Sequence, residues 1–132
     1  LIAHRITEVP GSSAYFLQGV VTYSNESKEE LLGVSPAIVE KYGPVSKETA
    51  ERMVSGVKKH SGATIGVATT GIAGPSGGTP DTPVGRVFIA LAAEDMLEVK
   101  KYDFLGDRHG IKLIASTVAL DRVRRYLLGI QA

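Results

Sequence analysis

The chain has 132 residues, of which 43% are hydrophobic and 22% charged, with a net charge of +1. That is enough for one domain whose core needs no disulfide or metal staple, and too apolar for a disordered tail. There is no cysteine, no long basic run, no apolar run of membrane-spanning length and no secretory signal. These absences exclude disulfide and thiol chemistry within these residues and argue for a single cytoplasmic domain over residues 1–132 that binds neither nucleic acid nor a membrane.

The chain opens at Leu1 rather than at a methionine, and Leu1, Ile2 and Ile6 read as part of a helix already under way, so a preceding segment is expected. Pro10-Gly-Ser-Ser13 is a turn, and residues 14–17 suit a short helical turn. Gly19-Val-Val-Thr-Tyr-Ser24 is rich in β-branched and aromatic residues and reads as a buried strand. Asn25 is placed to cap a helix over 26–32. Ser35-Pro36 and Gly43 bracket a short helix with its cap, first-turn proline and terminal glycine in order.

From 46 to 60, Ala50, Met53, Val54 and Val57 recur at helical spacing, with Glu48 and Glu51 early and Lys58-Lys-His60 late, as the helix macrodipole favours. Strands follow at 64–70, 84–93 and 97–105, the last two forming an antiparallel hairpin across Glu94-Asp-Met96. A final helix begins near Asp107 and runs to about Leu128, with Ile111, Ile114, Ala115 and Val118 on its apolar stripe. Its Arg122-Val-Arg-Arg125 cluster is expected on the solvent face or in the last turns. Helices before and after strands predict an α/β fold, a three-layer α/β/α arrangement with a mixed sheet. Tyr15, Tyr42, Tyr102 and Tyr126 are assigned to packing.

Five of the fifteen glycines and three of the six prolines lie between Thr69 and Gly85. A loop this long inside a small domain is uncommon unless it binds something, and glycine-exposed N–H groups suit an anion or sugar phosphate. Alternatively it is an extended connection whose glycines only satisfy turn geometry. It has neither the Gly-Lys-Ser/Thr ending of a P-loop nor a Gly-x-Gly-x-x-Gly fingerprint. His4, His60 and His109 stand at no metal-ligand spacing, so no metal is expected.

Two cations sit at helix starts. Lys28, in a first turn, faces the positive end of the macrodipole. That placement lowers an amine's pKa and suits a general base, whereas Glu26, Glu29 and Glu30 favour an ordinary charged surface lysine. Arg108, beside free backbone N–H groups, suits an oxyanion or phosphate, or else an ion pair with Asp107. Tyr23, Thr69 and Thr70 end strands, where ligands of open α/β sheets collect.

Pro10-Gly-Ser-Ser-Ala-Tyr-Phe16, Gly19-Val-Val-Thr-Tyr-Ser-Asn-Glu-Ser-Lys28, Gly43-Pro-Val-Ser46, Thr70-Gly-Ile-Ala-Gly-Pro-Ser-Gly-Gly78, Pro83-Val-Gly85 and Gly106-Asp-Arg108 occur in order. Together they resemble the CinA C-terminal domain family, the bacterial nicotinamide mononucleotide (NMN) deamidases, over essentially the whole chain. The resemblance implies hydrolysis of the NMN carboxamide to ammonia and nicotinic acid mononucleotide, without a cofactor, by a serine nucleophile with a lysine base. It assigns the base to Lys28, with Tyr23 assisting, and substrate contacts to Thr70, Gly71, Gly74, Gly77 and Gly78, with Arg108 the candidate for the phosphate. It further implies a homodimer, a possible N-terminal domain in the same polypeptide, and a Glu-Ser-Cys-Thr-Gly-Gly segment before Leu1 that carries the serine. On that reading, the family's first helix and first strand lie outside these residues. The alternatives are a non-catalytic nucleotide-binding or dimerisation module and a purely structural interaction domain.

Overall fold

The computed structural model describes residues 1–130; residues 131–132 of the expected domain lie outside the described residues. In chain order they form α1 (Ile2–Thr7), a 3-10 turn (Ser12–Ala14), α2 (Asn25–Leu32), α3 (Pro36–Tyr42), α4 (Lys47–Ser61), β1 (Gly66–Gly71), β2 (Arg86–Ala92), β3 (Leu97–Asp103) and α5 (Arg108–Leu127). No helix among them is long and apolar enough to cross a membrane.

The sheet has the order β1-β2-β3 and is antiparallel throughout, with Ala68 opposite Ala90 and Ala90 opposite Val99. The expected mixed sheet is therefore corrected. Parallel neighbours need a crossover, and no helix intervenes between β1 and β3. The three layers are as expected. Ala68, Ala90 and Ala92 point to one face and pack with Val54, Ala50 and Met53 of α4 and with Leu32 and Val34. Val87 and Ile89 point to the other and pack with Ile111, Ala115 and Ala119 of α5. Alternation along β2 thus buries both faces of the central strand.

Local chemistry explains the helix boundaries. Ser46 Oγ accepts from Thr49 N–H at 3.1 Å and Asp107 Oδ1 accepts from Gly110 N–H at 2.8 Å, each satisfying an otherwise orphaned donor. The cap of α2 is Ser24, one residue before the expected Asn25. Ser24 and Ser27 exchange side-chain-to-backbone bonds of 3.0 and 3.1 Å, a capping box that satisfies two donors where Asn25 alone would satisfy one.

Residues 19–24 are not a strand. They form no ladder to any described strand, and Val21 and Tyr23 stand exposed, whereas Thr22 is buried and Val20 packs on the α4-side core. The alternation of a strand persists because one side still lies on the core, but a ladder needs a partner backbone. The expected turn at 14–17 lies at Ser12–Ala14, and Tyr15 is exposed rather than packed. Tyr102 does pack, stacked on Phe104 with centroids 5.3 Å apart.

Helices α2 and α4 meet at Gly56, where a Cβ would lie 1.9 Å from the Leu32 carbonyl oxygen. Gly56→Ala would stabilise an isolated helix by up to about 1 kcal/mol. Here the expected outcome is the opposite, a loss of about 1–3 kcal/mol or more from overpacking against backbone, read as a lowered midpoint in thermal unfolding.

Candidate functional site

The glycine loop is a closed structure that joins β1 to β2. Its base is tied by Ile72 N–H to Arg86 O at 3.0 Å and Gly85 N–H to Ile72 O at 2.7 Å, and its tip by the reciprocal Thr79–Thr82 backbone pair. Arg86 braces the tip from below, donating to Asp81 O at 2.7 Å and forking onto Asp103 at 2.8 and 3.1 Å. This ion pair holds the Asp103 carboxyl below its ordinary range, first through the hydrogen bond from Arg86.

Several of the glycines serve packing. A Cβ at Gly71 would meet Arg86 O at 2.7 Å, and one at Gly74 or Gly78 would meet the Val84 side chain at 2.5 or 2.8 Å. Gly74 also has φ +81°, a left-handed conformation that disfavours a side chain. Gly77 stands apart, with φ +92° on an exposed stretch, where a Cβ would meet only Ile72 Cγ2 at an ordinary 3.7 Å. The turn-and-packing reading of the glycines thus holds at Gly71, Gly74 and Gly78, and the stretch around Gly77 presents backbone to solvent.

The loop is anchored from across the domain. Arg108, the first residue of α5, donates from NH1 to Gly74 O at 2.8 Å and from NH2 to Tyr23 Oη at 3.2 Å. Residues 23, 74 and 108, each singled out in the sequence, thus meet at one point. The alternative Arg108–Asp107 ion pair is not formed, because Asp107 caps Gly110 instead.

Lys28 is buried at 7% exposure, and its amine donates to the Thr22 carbonyl oxygen at 3.0 Å. Burial lowers its pKa from the ordinary 10.5. The surface-lysine reading is thereby corrected: Glu26, Glu29 and Glu30 point to solvent and none pairs with it. Adjacent residues of one backbone segment thus hold the two cations, Thr22 O accepting from the Lys28 amine and the Tyr23 phenol oxygen accepting from Arg108.

Thr70, at the end of β1, is buried, and its hydroxyl donates to Pro44 O at 2.6 Å. Its oxygen can still accept, but its proton is engaged. Ser46 and Thr49 both donate to Gly43 O, at 2.9 and 2.7 Å, so three hydroxyls secure the turn at 43–46 beside the strand end. That turn and the Thr22 carbonyl are the parts of the site that side-chain reasoning missed. The Gly43-Pro-Val-Ser46 motif was the available signal; a backbone carbonyl carries none.

Among the described residues no group of three or more His, Cys, Asp or Glu side chains is gathered for a metal ion. Two surface clefts, of about 350 and 730 Å³, lie at the opposite end of the sheet, around Ala93–Leu97 and the end of α5. They are not at Lys28 and Arg108. The first is lined by the end of α4, and the charged side chains of the second are paired: Arg122 with Glu98, Arg125 with Asp121 and Asp95 with Tyr126.

A helix–sheet–helix α/β domain with an arginine-anchored glycine loop and a buried lysine amine defines the class. The CinA C-terminal domain description matches residues 1–127, and the chain belongs to that family. The CinA-like protein of Geotalea uraniireducens (strain Rf4) is 50% identical over 132 residues, which cover 100% of this chain and 31% of that protein. The CinA-like protein of Geobacter sulfurreducens is 50% identical over 128 residues, covering 97% of this chain and 31% of that protein. The chain thus spans about a third of the length of these relatives. Among solved structures, the competence/damage inducible protein CihA from Agrobacterium tumefaciens superposes with a TM-score of 0.90 at 38% identity, covering 92% of this chain and 75% of that one. The competence damage-inducible protein A (ComA) from Klebsiella pneumoniae gives 0.92 at 32%, covering 98% and 81%.

Proposed function

We propose that this domain hydrolyses the carboxamide of NMN, releasing ammonia and nicotinic acid mononucleotide in pyridine nucleotide recycling. The observation that carries the reading is the pairing of a buried amine with a cation-anchored glycine loop along one backbone strip: Lys28 held by Thr22 O, and Arg108 held by Tyr23 and Gly74. A lysine that loses its proton readily can accept one from a serine hydroxyl, and an arginine with spare N–H groups suits the phosphate of a nucleotide.

In this scheme a serine oxygen attacks the amide carbon while neutral Lys28 takes its proton. The resulting ammonium returns that proton to the nitrogen as the C–N bond breaks, and ammonia leaves. Water, deprotonated by the same amine, then cleaves the acyl ester. The serine expected from the family resemblance, that of the Glu-Ser-Cys-Thr-Gly-Gly segment, is not among residues 1–132. The exposed arc around Gly77 and Gly78 would line the sugar-phosphate side, and Thr70 and Gly71 the floor beside it. The protein is read as a cytoplasmic homodimer.

The test is ammonia release from NMN by the full-length gene product, with nicotinic acid mononucleotide identified by chromatography. Stoichiometric formation of both supports the deamidase; absence of turnover sinks it and leaves a nucleotide-binding module. Within an active enzyme, Arg108→Ala is expected to raise KM for NMN roughly 10- to 100-fold, the worth of a charge-assisted hydrogen bond, with kcat within about threefold of wild type. An unchanged KM would remove the phosphate role.

A further inference from the structure

The Tyr23 side chain is unusual for the energy it forgoes. A tyrosine normally buries its ring, yet Tyr23 is 83% exposed, and its only hydrogen bond among the described residues joins its phenol oxygen to Arg108, 85 positions away. No hydrogen bond joins it to Lys28, whose amine is turned to the Thr22 carbonyl. We propose that Tyr23 is a positioning residue of the anion-holding side of the site, fixing the Arg108 guanidinium in the orientation that receives a substrate phosphate, and that it takes no part in moving the amide's proton. This inference rests on the deamidase reading and deepens it.

Arg108 has five N–H donors in one plane, and its contacts to Gly74 and Tyr23 use one hydrogen on each terminal nitrogen. The Gly74 carbonyl alone would let the plane swing about that single bond. Adding the phenol oxygen fixes the plane, because two acceptors on two nitrogens define it. Three N–H groups remain for a phosphate, enough for a two-pronged contact. The phenol oxygen accepts from Arg108, so its own proton stays available to an anionic oxygen docked beside the guanidinium. The segment that presents Tyr23 is rigid on its inner side, where Thr22 is buried and Val20 packs on the core. The phenol is therefore placed by backbone that the same segment uses to hold Lys28, which sets the distance between the two ends of the substrate.

The experiment is a double-mutant cycle of Tyr23→Phe and Arg108→Ala in the full-length enzyme, assayed with NMN and with nicotinamide riboside, which lacks the phosphate. Tyr23→Phe removes one oxygen from an exposed ring, so the variant is expected to fold. KM for NMN should rise roughly three- to tenfold with kcat and its pH profile unchanged, the size of one net hydrogen bond. The effect should vanish, to within about twofold, in the Arg108→Ala background and with the riboside. A fall in kcat of about a hundredfold, a lost limb of the pH profile, or effects that multiply in the double variant would overturn the inference while leaving the deamidase reading intact. Calorimetric titration of NMN into the same four proteins reads the coupling without turnover. Coupled losses of affinity sustain the inference even where ammonia release is absent, and uncoupled losses or no binding overturn it.

Discussion

Lys28→Met is expected to lower kcat for ammonia release by roughly 10²- to 10⁴-fold, the usual contribution of a positioned general base, with little change in KM. Methionine fills nearly the same buried volume, so the loss reports the amine and not a cavity. Lys28→Arg should be as inactive, because a guanidinium keeps its proton at any working pH. An arginine variant with near-wild-type turnover would show that charge, not basicity, is what the position supplies.

The pH dependence has a defined sign. The base must be neutral, so kcat/KM should rise with pH and level off above the pKa of Lys28, which burial holds below 10.5. The same shift acts on stability. Between the lowered folded-state value and 10.5 the unfolded chain binds more protons than the folded one, so this lysine makes folding more favourable as pH rises through that window. Lys28→Met should therefore gain most over wild type at neutral pH, with the gap closing toward 10.5, as urea unfolding at several pH values would measure. A gap independent of pH would contradict the burial of a charged amine.

The largest expected loss of stability is at Arg122. The side chain is 4% exposed and crosses from α5 to the sheet, donating to the Ile89 carbonyl, to Glu98 O at 3.3 Å and to the Glu98 carboxylate at 3.0 Å. The sequence reading put the Arg122–Arg125 cluster on the solvent face or in the last turns; Arg124 and Arg125 lie in the last turn, and the solvent-face alternative is corrected for Arg122, which is buried. In α5, Arg122 follows the buried residues Ala115 and Ala119 by seven and three positions, so it lies on their face. Arg122→Ala strands a buried carbonyl and empties the space of the side-chain stem, which together cost about 3–5 kcal/mol. The unfolding midpoint should drop by about 10–20 °C. Arg124→Ala, at an exposed position paired with Asp121, should stay within about 0.5 kcal/mol of wild type. Equal effects at the two positions would refute the buried clamp. The Glu98 carboxylate is 44% exposed, so the backbone acceptors carry most of the difference.

The sequence by itself determined the helices, the hairpin and most helix ends. Ser24, Ser35, Ser46 and Asp107 each satisfy donors two or three residues along, and Gly33 and Gly62 close helices in a left-handed conformation. Such contacts close within one turn, so the order of residues is enough to specify them. The sequence also marked Tyr23, Lys28, Gly74 and Arg108 as separate points. Only the tertiary structure decided that the segment at 19–24 would remain unpaired, that Lys28 would be buried while its neighbouring glutamates are not, and that Arg122 would turn inward. It alone joined residues 23, 74 and 108. Burial and pairing depend on which surfaces arrive from distant parts of the chain, and the desolvation that lowers the Lys28 pKa exists only once they have arrived.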